Sequence, residues 1–203
     1  MASCCEDKTC EITVLREKHK KVLIIVLIIN TLMFFIEGVY GWVSHSTALL
    51  ADALDMFGDA LVYVMSLYVL TKSVQQQAKV SLSKGLFMVT FGLFVLVEAG
   101  YKAINPVMPN VEIMGVVGFI ALLANAACFL LLYAHRADNL NMSSTWLCSR
   151  NDLIANVGVL IAALLSYLLV SRWPDIVIGV FIAGIFLKSA VAVIRQSVVE
   201  LKV

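Results

Sequence analysis

Three aspartates, Asp52, Asp55 and Asp59, lie inside an otherwise apolar run of membrane length. Spacings of three and four put all three on one face of a helix. Carboxylates at membrane depth are costly unless something pairs them, and there they mark an ion or proton path. A later apolar run carries Cys148 and Asp152, again four apart and on one face. Two facing helices would offer Asp55, Asp59, Cys148 and Asp152 to one point. Oxygen and thiolate ligands, two from each helix, suit a tetrahedral divalent cation. Crowded carboxylates without a cation repel one another and protonate. A cation needs them deprotonated and expels the protons. One site that holds either metal or protons is the chemical minimum for metal–proton exchange.

Other polar residues share the apolar runs. Asp52, Glu37 and Asn156 are candidates for an accessory path or for proton handling; Asn156 stands four residues after Asp152, on its face. For a lone intramembrane acid or amide, an interhelical hydrogen bond is the plain alternative. Glu98 and Lys102, four apart, read as a helix ion pair. Lys188 can snorkel or pair with an acid. Arg150 points nearly opposite Cys148 and Asp152. Asn30 and Asn125 read as interhelical hydrogen-bonding residues, and Cys128 as packing. Near the start, Cys4, Cys5 and Cys10 stand among Glu6, Asp7 and Glu11 and could collect a soft cation, or could be a lipidated or merely tolerated cluster. His19, His45 and His135 are too far apart in sequence for a histidine box.

The elements that must position these residues follow from composition. Of 203 residues, 61% are hydrophobic, and the mean hydropathy is +0.93. That is an all-α polytopic membrane protein. Strand-like alternation is absent, and a net charge of +1 points to no nucleic acid. The five cysteines do not read as a disulfide framework. Six helical spans are expected at about 22–43, 48–71, 83–104, 113–134, 143–170 and 175–196. His45-Ser46, Asn105–Asn110 and Arg172–Asp175 mark breaks between them. The polar segment 1–21 is expected to be a cytosolic tail, partly disordered or a short surface helix, with a six-helix domain over 22–197 and a short tail over 198–203. Eleven basic residues fall on one side: Lys8, Arg16, Lys18, Lys20, Lys21, Lys72, Lys79, Lys84, Arg136, Arg195 and Lys202. Only Lys102 and Arg172 fall on the other. The charge bias places both termini in the cytoplasm, in a plasma or bacterial inner membrane.

The motifs also resemble a family. Ser46 to Asp59 is similar to the second span of the cation diffusion facilitators, S-x-A-L-L-A-D-A-x-[HD]-x-x-x-D. Glu98-Ala99 with Asn105-Pro106 resembles the end of their third span. Cys148 and Asp152 fall on the H-x-x-x-D of their fifth, and Trp173-Pro174-Asp175 resembles the start of their sixth. The resemblance implies a six-helix carrier that exports zinc or a related divalent cation against protons by alternating access, with a transport site at Asp55, Asp59, Cys148 and Asp152. The metal is then substrate rather than cofactor, and no enzyme activity is implied. It also implies a homodimer in the lipid bilayer. Two departures stand out. Cys148 replaces the fifth-span histidine, and Asp55 stands where zinc-selective members often have histidine. Thiolate favours zinc, cadmium and softer ions, while the carboxylates admit cobalt, iron or manganese. A short member without the cytosolic C-terminal domain of many relatives is expected. A metal-selective channel and a non-transporting metal-binding subunit are the alternatives. An aspartyl protease dyad fits poorly, because further acids and a thiol crowd the same place.

Overall fold

A computed structural model describes residues 3–68, 74–134 and 140–201; side chains are described for 20–61, 63–64, 78–79, 82–83, 85–134, 149, 152–195, 197–199 and 201. The described residues form six α-helices and no strand: α1 (Ser3–Val43), α2 (Thr47–Tyr68), α3 (Val74–Ile104), α4 (Val111–Tyr133), α5 (Leu140–Leu169) and α6 (Trp173–Glu200). Stretches of α1, α3, α4, α5 and α6 are long and apolar enough to cross a membrane. α2 has the length, at 22 residues, but carries the three aspartates. The all-α membrane architecture expected from composition is therefore the one observed.

Helix boundaries depart from the apolar runs where polar residues continue a helix. α1 runs on from Ser3, so the polar segment before the first span is helical and continuous with it. α3 begins at Val74 rather than near residue 83, because Gln75, Gln76, Gln77, Lys79 and Lys84 favour helix although they are not apolar. α1 packs on α2 and α4, α3 on α6, and α4 on α5, while α6 also meets α2 and α5. The main core joins Leu49, Ala51 and Leu54 of α2 to Val95, Met114, Val159, Ala183 and Phe186 of the surrounding helices. The outside is also apolar: Ile28, Leu32, Phe35 and Val39 follow helical spacing on α1 and are exposed. Such a stripe has no partner in water and suits lipid.

The links α1–α2, α3–α4 and α5–α6 share one end of the bundle, called here the linker face. It is held by hydrogen bonds between helices. Asp175, in the first turn of α6 just after Pro174, reaches the start of α2. Its carboxylate accepts from Ser46 Oγ at 2.6 Å, Thr47 N at 2.8 Å and Ala48 N at 3.0 Å. These amides have no intrahelical acceptor, and the positive ends of two helix dipoles meet at one carboxylate. Thr47 Oγ1 donates to Glu98 Oε2 at 3.1 Å and accepts from Lys102 Nζ at 3.2 Å, while Lys102 pairs with Glu98, as their spacing of four anticipates. Arg172 Nη2 donates to Ala103 O, and Asn110 N to Ser44 O. Gly179 makes this contact possible: a Cβ there would lie 2.7 Å from the Thr47 carbonyl carbon, and backbone cannot give way as a side chain can.

Removing the shared cap should therefore loosen the bundle. Asp175→Ala is expected to lower unfolding free energy by about 2–4 kcal/mol, from lost charge-assisted bonds and orphaned donors. Asp175→Asn, which keeps one acceptor, should lose roughly half as much. Thermal melting of purified protein in detergent checks both, and equal melting of wild type and Asp175→Ala would remove the cap from the account.

Candidate functional site

α2 and α5 meet where the sequence places its acids. Asp55 on α2 is half-buried, and Asp152 on α5 is 7% exposed. The two carboxyls share a side-chain hydrogen bond. A carboxylate only accepts, so that bond needs one proton between the two groups. Asp59, one turn along α2 from Asp55, is also half-buried and accepts from Tyr63 Oη at 3.3 Å. Asp55 feels the charge of Asp59. Cys148 lies one turn before Asp152 on α5, but its side chain falls outside the described residues. Among the described residues no three His, Cys, Asp or Glu side chains gather as a metal-binding group. The structure thus brings Asp55 and Asp152 together and sets Asp59 one turn further along α2, within reach of the Asp55 charge.

A second level lies one turn towards the linker face. Asn125 Nδ2 on α4 donates to Asn156 Oδ1 at 3.0 Å, and Asn156 Nδ2 donates to Asp52 Oδ2 at 2.7 Å. All three are buried, and the chain of amides links α4, α5 and α2 through apolar surroundings. Glu37 of α1, fully buried, stands near enough to Asp52 and Asp55 to feel their charge. A third level lies on the opposite side of the Asp55–Asp152 contact. Asn30 Nδ2 donates to Val26 O at 2.9 Å and approaches Cys128 Sγ at 3.8 Å. Cys128 packs with Leu23, Val26, Tyr63 and Leu132, as read from sequence, but also lies within reach of the Asp59 charge. Helix register explains the stacking: α2 and α4 descend from the linker face while α1 and α5 rise towards it, so Asp52, Asp55 and Asp59 each meet a different level.

Of the other candidates, Asn156 and Asp52 are joined by the hydrogen bond above, and Lys188 is exposed on α6. Cys4, Cys5, Cys10 and Arg150 have side chains outside the described residues, as do His19 and His135. Sequence reasoning missed Asp175 as the cap of α2 and the hydrogen bond between Asn125 and Asn156. No local spacing signals either contact, since 127 or more residues separate Asp175 from its partners and 31 separate the two amides. The amide chain should be energetically coupled. In a double-mutant cycle of Asn125→Ala and Asn156→Ala, thermal unfolding in detergent is expected to give an interaction energy of about 0.5–1.5 kcal/mol. Strict additivity would mean that the two amides act independently.

Comparison with known proteins follows this geometry. Residues 23–202 match the family model described as the cation efflux transmembrane domain. The chain is 28% identical over 201 residues to the zinc transporter ZitB of Yersinia pestis, covering 92% of this chain and 64% of that protein. It is 26% identical over 196 residues to the cadmium, cobalt and zinc/H(+)-K(+) antiporter of Bacillus subtilis, covering 89% of this chain and 62% of that protein. It is also 26% identical over 136 residues to the vacuolar zinc transporter ZRC1 of Saccharomyces cerevisiae, covering 60% and 31%. The chain thus spans less than two thirds of the length of these relatives.

Proposed function

The chain belongs to the cation efflux family, and we propose that it exports divalent transition-metal cations from the cytoplasm in exchange for protons, by alternating access. The observation that carries this reading is the contact between Asp55 and Asp152, two acids on different helices joined by a side-chain hydrogen bond, which needs one proton. A divalent cation entering there replaces that proton with a charge both carboxylates accept. Asp59, one turn further along α2, and Cys148, one turn before Asp152, complete a four-ligand site of three oxygens and a thiolate. Asp59 accepts from Tyr63 while Asp55 and Asp152 share a hydrogen bond, an arrangement that eases repulsion among the three acids. Loading and unloading of metal then moves protons the other way at the same atoms.

Zinc is the proposed cargo, with cadmium next, because thiolate ligands favour soft cations; cobalt, iron and manganese follow through the carboxylates. The relatives' names speak of zinc, cadmium and cobalt, which supports a divalent cation of this group as cargo. The positive-inside bias supports cytoplasmic termini. Cys4, Cys5 and Cys10 are proposed to collect metal ahead of the transport site, and two copies are proposed to associate as a homodimer through membrane helices.

Calorimetric titration of the purified chain with zinc, cadmium, cobalt and manganese tests the site. Asp55→Asn and Asp152→Asn are each expected to abolish a site of about one metal per chain; wild-type binding by both would sink the reading. Apparent affinity should fall as pH drops, by about tenfold per unit for each proton displaced. Affinity unchanged between about pH 5.5 and 8 would contradict exchange. Cys148→Ser should weaken cadmium and zinc more than manganese; an equal loss for all three would remove the thiolate from the ligand set. Saturable, pH-dependent metal uptake into inverted vesicles separates a carrier from a channel, and absence of flux identifies a non-transporting subunit.

A further inference from the structure

Glu37 is the most anomalous side chain in the bundle. It is fully buried, and neither carboxyl oxygen has a hydrogen-bond partner among the described residues. Asp52 is equally buried; one of its oxygens takes the Asn156 amide, and the other has no partner there either. Three orphaned carboxyl oxygens thus lie on neighbouring helices, in mutual electrostatic contact. Buried polar groups are almost always satisfied, so each exception calls for a ligand or a function.

The groups packed around Glu37 supply no balancing charge. From α2 come Asp52 and Asp55, both acids. From α4, which also packs on α1, come Asn125 at this depth and Cys128 beyond the Asp55–Asp152 contact. α5 brings Asp152 and Asn156 against α2, and its one basic residue, Arg150, has a side chain outside the described residues. Residues 22–43 of α1 and the whole of α2 and α4 contain no lysine, arginine or histidine. No hydrogen bond joins Glu37 to Asp55, Asp59 or Asp152. Among the described residues Glu37 and Asp52 gather no third acid, histidine or cysteine into a cage around them. The smallest cation that neutralises a carboxylate needs no such cage.

We propose that Glu37, with Asp52, forms a proton-binding pair one helical turn towards the linker face from the Asp55–Asp152 contact, and that it releases its proton when metal arrives there without itself touching the metal. The inference rests on the transport reading above. The balance is simple. A doubly charged ion placed between Asp55 and Asp152 raises the local potential, and a carboxylic acid nearby then gives up its proton to solvent. When the ion leaves, the proton returns to the Glu37 carboxylate. Protons thereby exchange at two places: at the ligands by direct displacement, and at Glu37 through the field.

The test counts protons. The full chain in detergent is titrated with zinc in buffers of different ionisation enthalpy, which gives protons released per ion bound. Glu37→Gln is expected to bind zinc within about threefold of wild type, release about one proton fewer, and show a correspondingly flatter affinity–pH profile. An undiminished proton count overturns the inference. So does loss of zinc binding like that of Asp152→Asn, because Glu37 would then be a ligand. An Asp152→Asn protein that binds zinc as wild type does overturns the site reading and this inference together. Should Glu37→Gln not fold, wild type alone decides by infrared difference spectroscopy with carboxyl-labelled glutamate. Zinc should erase a glutamic acid carbonyl band. A spectrum without that loss overturns the proposal.

Discussion

The bilayer does not solvate charge, and that constraint governs the rest of the structure. Every carboxyl group at membrane depth must find a donor, a proton or a cation inside the bundle. Five carboxyls on α1, α2 and α5 cluster there, and they find four different solutions. Asp59 takes the Tyr63 hydroxyl, Asp55 and Asp152 share a hydrogen bond, Asp52 takes the Asn156 amide, and Glu37 has no described partner. The packing of α1, α2, α4 and α5 around these groups follows from that need, because each helix brings a piece of the polar interior. The lipid-facing surface is left free to be apolar, with large side chains exposed along α1 and α5.

α6 and α3 serve a different purpose. They carry little of the polar interior and much of the frame. Small residues on α3 let α6 lie close: a Cβ at Gly85 or Gly92 would meet Ile194 or Leu187 at 2.5 and 2.6 Å. Asp175, Glu98 and Lys102 then fasten the start of α2 to that pair of helices. The height of Asp52, Asp55 and Asp59 in the bundle is thereby fixed from one end. The acids sit on a helix whose first turn is held by another helix's carboxylate, a more rigid mounting than a loop would give.

Much of this was legible in the chain because it is local. Periodic acids on α2, the Cys148–Asp152 spacing and the Glu98–Lys102 pair all repeat at three or four residues, which fixes a helix face without tertiary knowledge. The six helices were legible from apolar length, although α2, with its three aspartates, is not among the five apolar enough to count as candidate spans. Helix ends were less so, since Gln75 to Lys84 extend α3 by propensity alone, and an apolar count stops short of them. What could not be read is every contact between distant segments. Asp175 looks like an ordinary first-turn acid of α6, and Ser46-Thr47 like an ordinary helix start; only the fold reveals that they meet. Cys128 has no acid at helical spacing, and its nearness to Asp59 of another helix is a matter of tertiary structure.

The three-residue turn between α1 and α2 has a consequence for how the chain is made. Each aspartate at the centre of a helix opposes membrane insertion by about 2.5–3.5 kcal/mol, while each leucine or valine favours it by only about 0.3–0.6. With three such acids among 22 residues, α2 is a poor substrate for the translocon by itself. α1, whose most apolar stretch within Lys20–Val43 has a mean hydropathy of 2.5, inserts readily. Joined through Ser44–Ser46, the two can enter only as a helical hairpin, α2 sheltered against a neighbour already in the bilayer. The helix that carries the three aspartates thus depends for its insertion on the more apolar one before it.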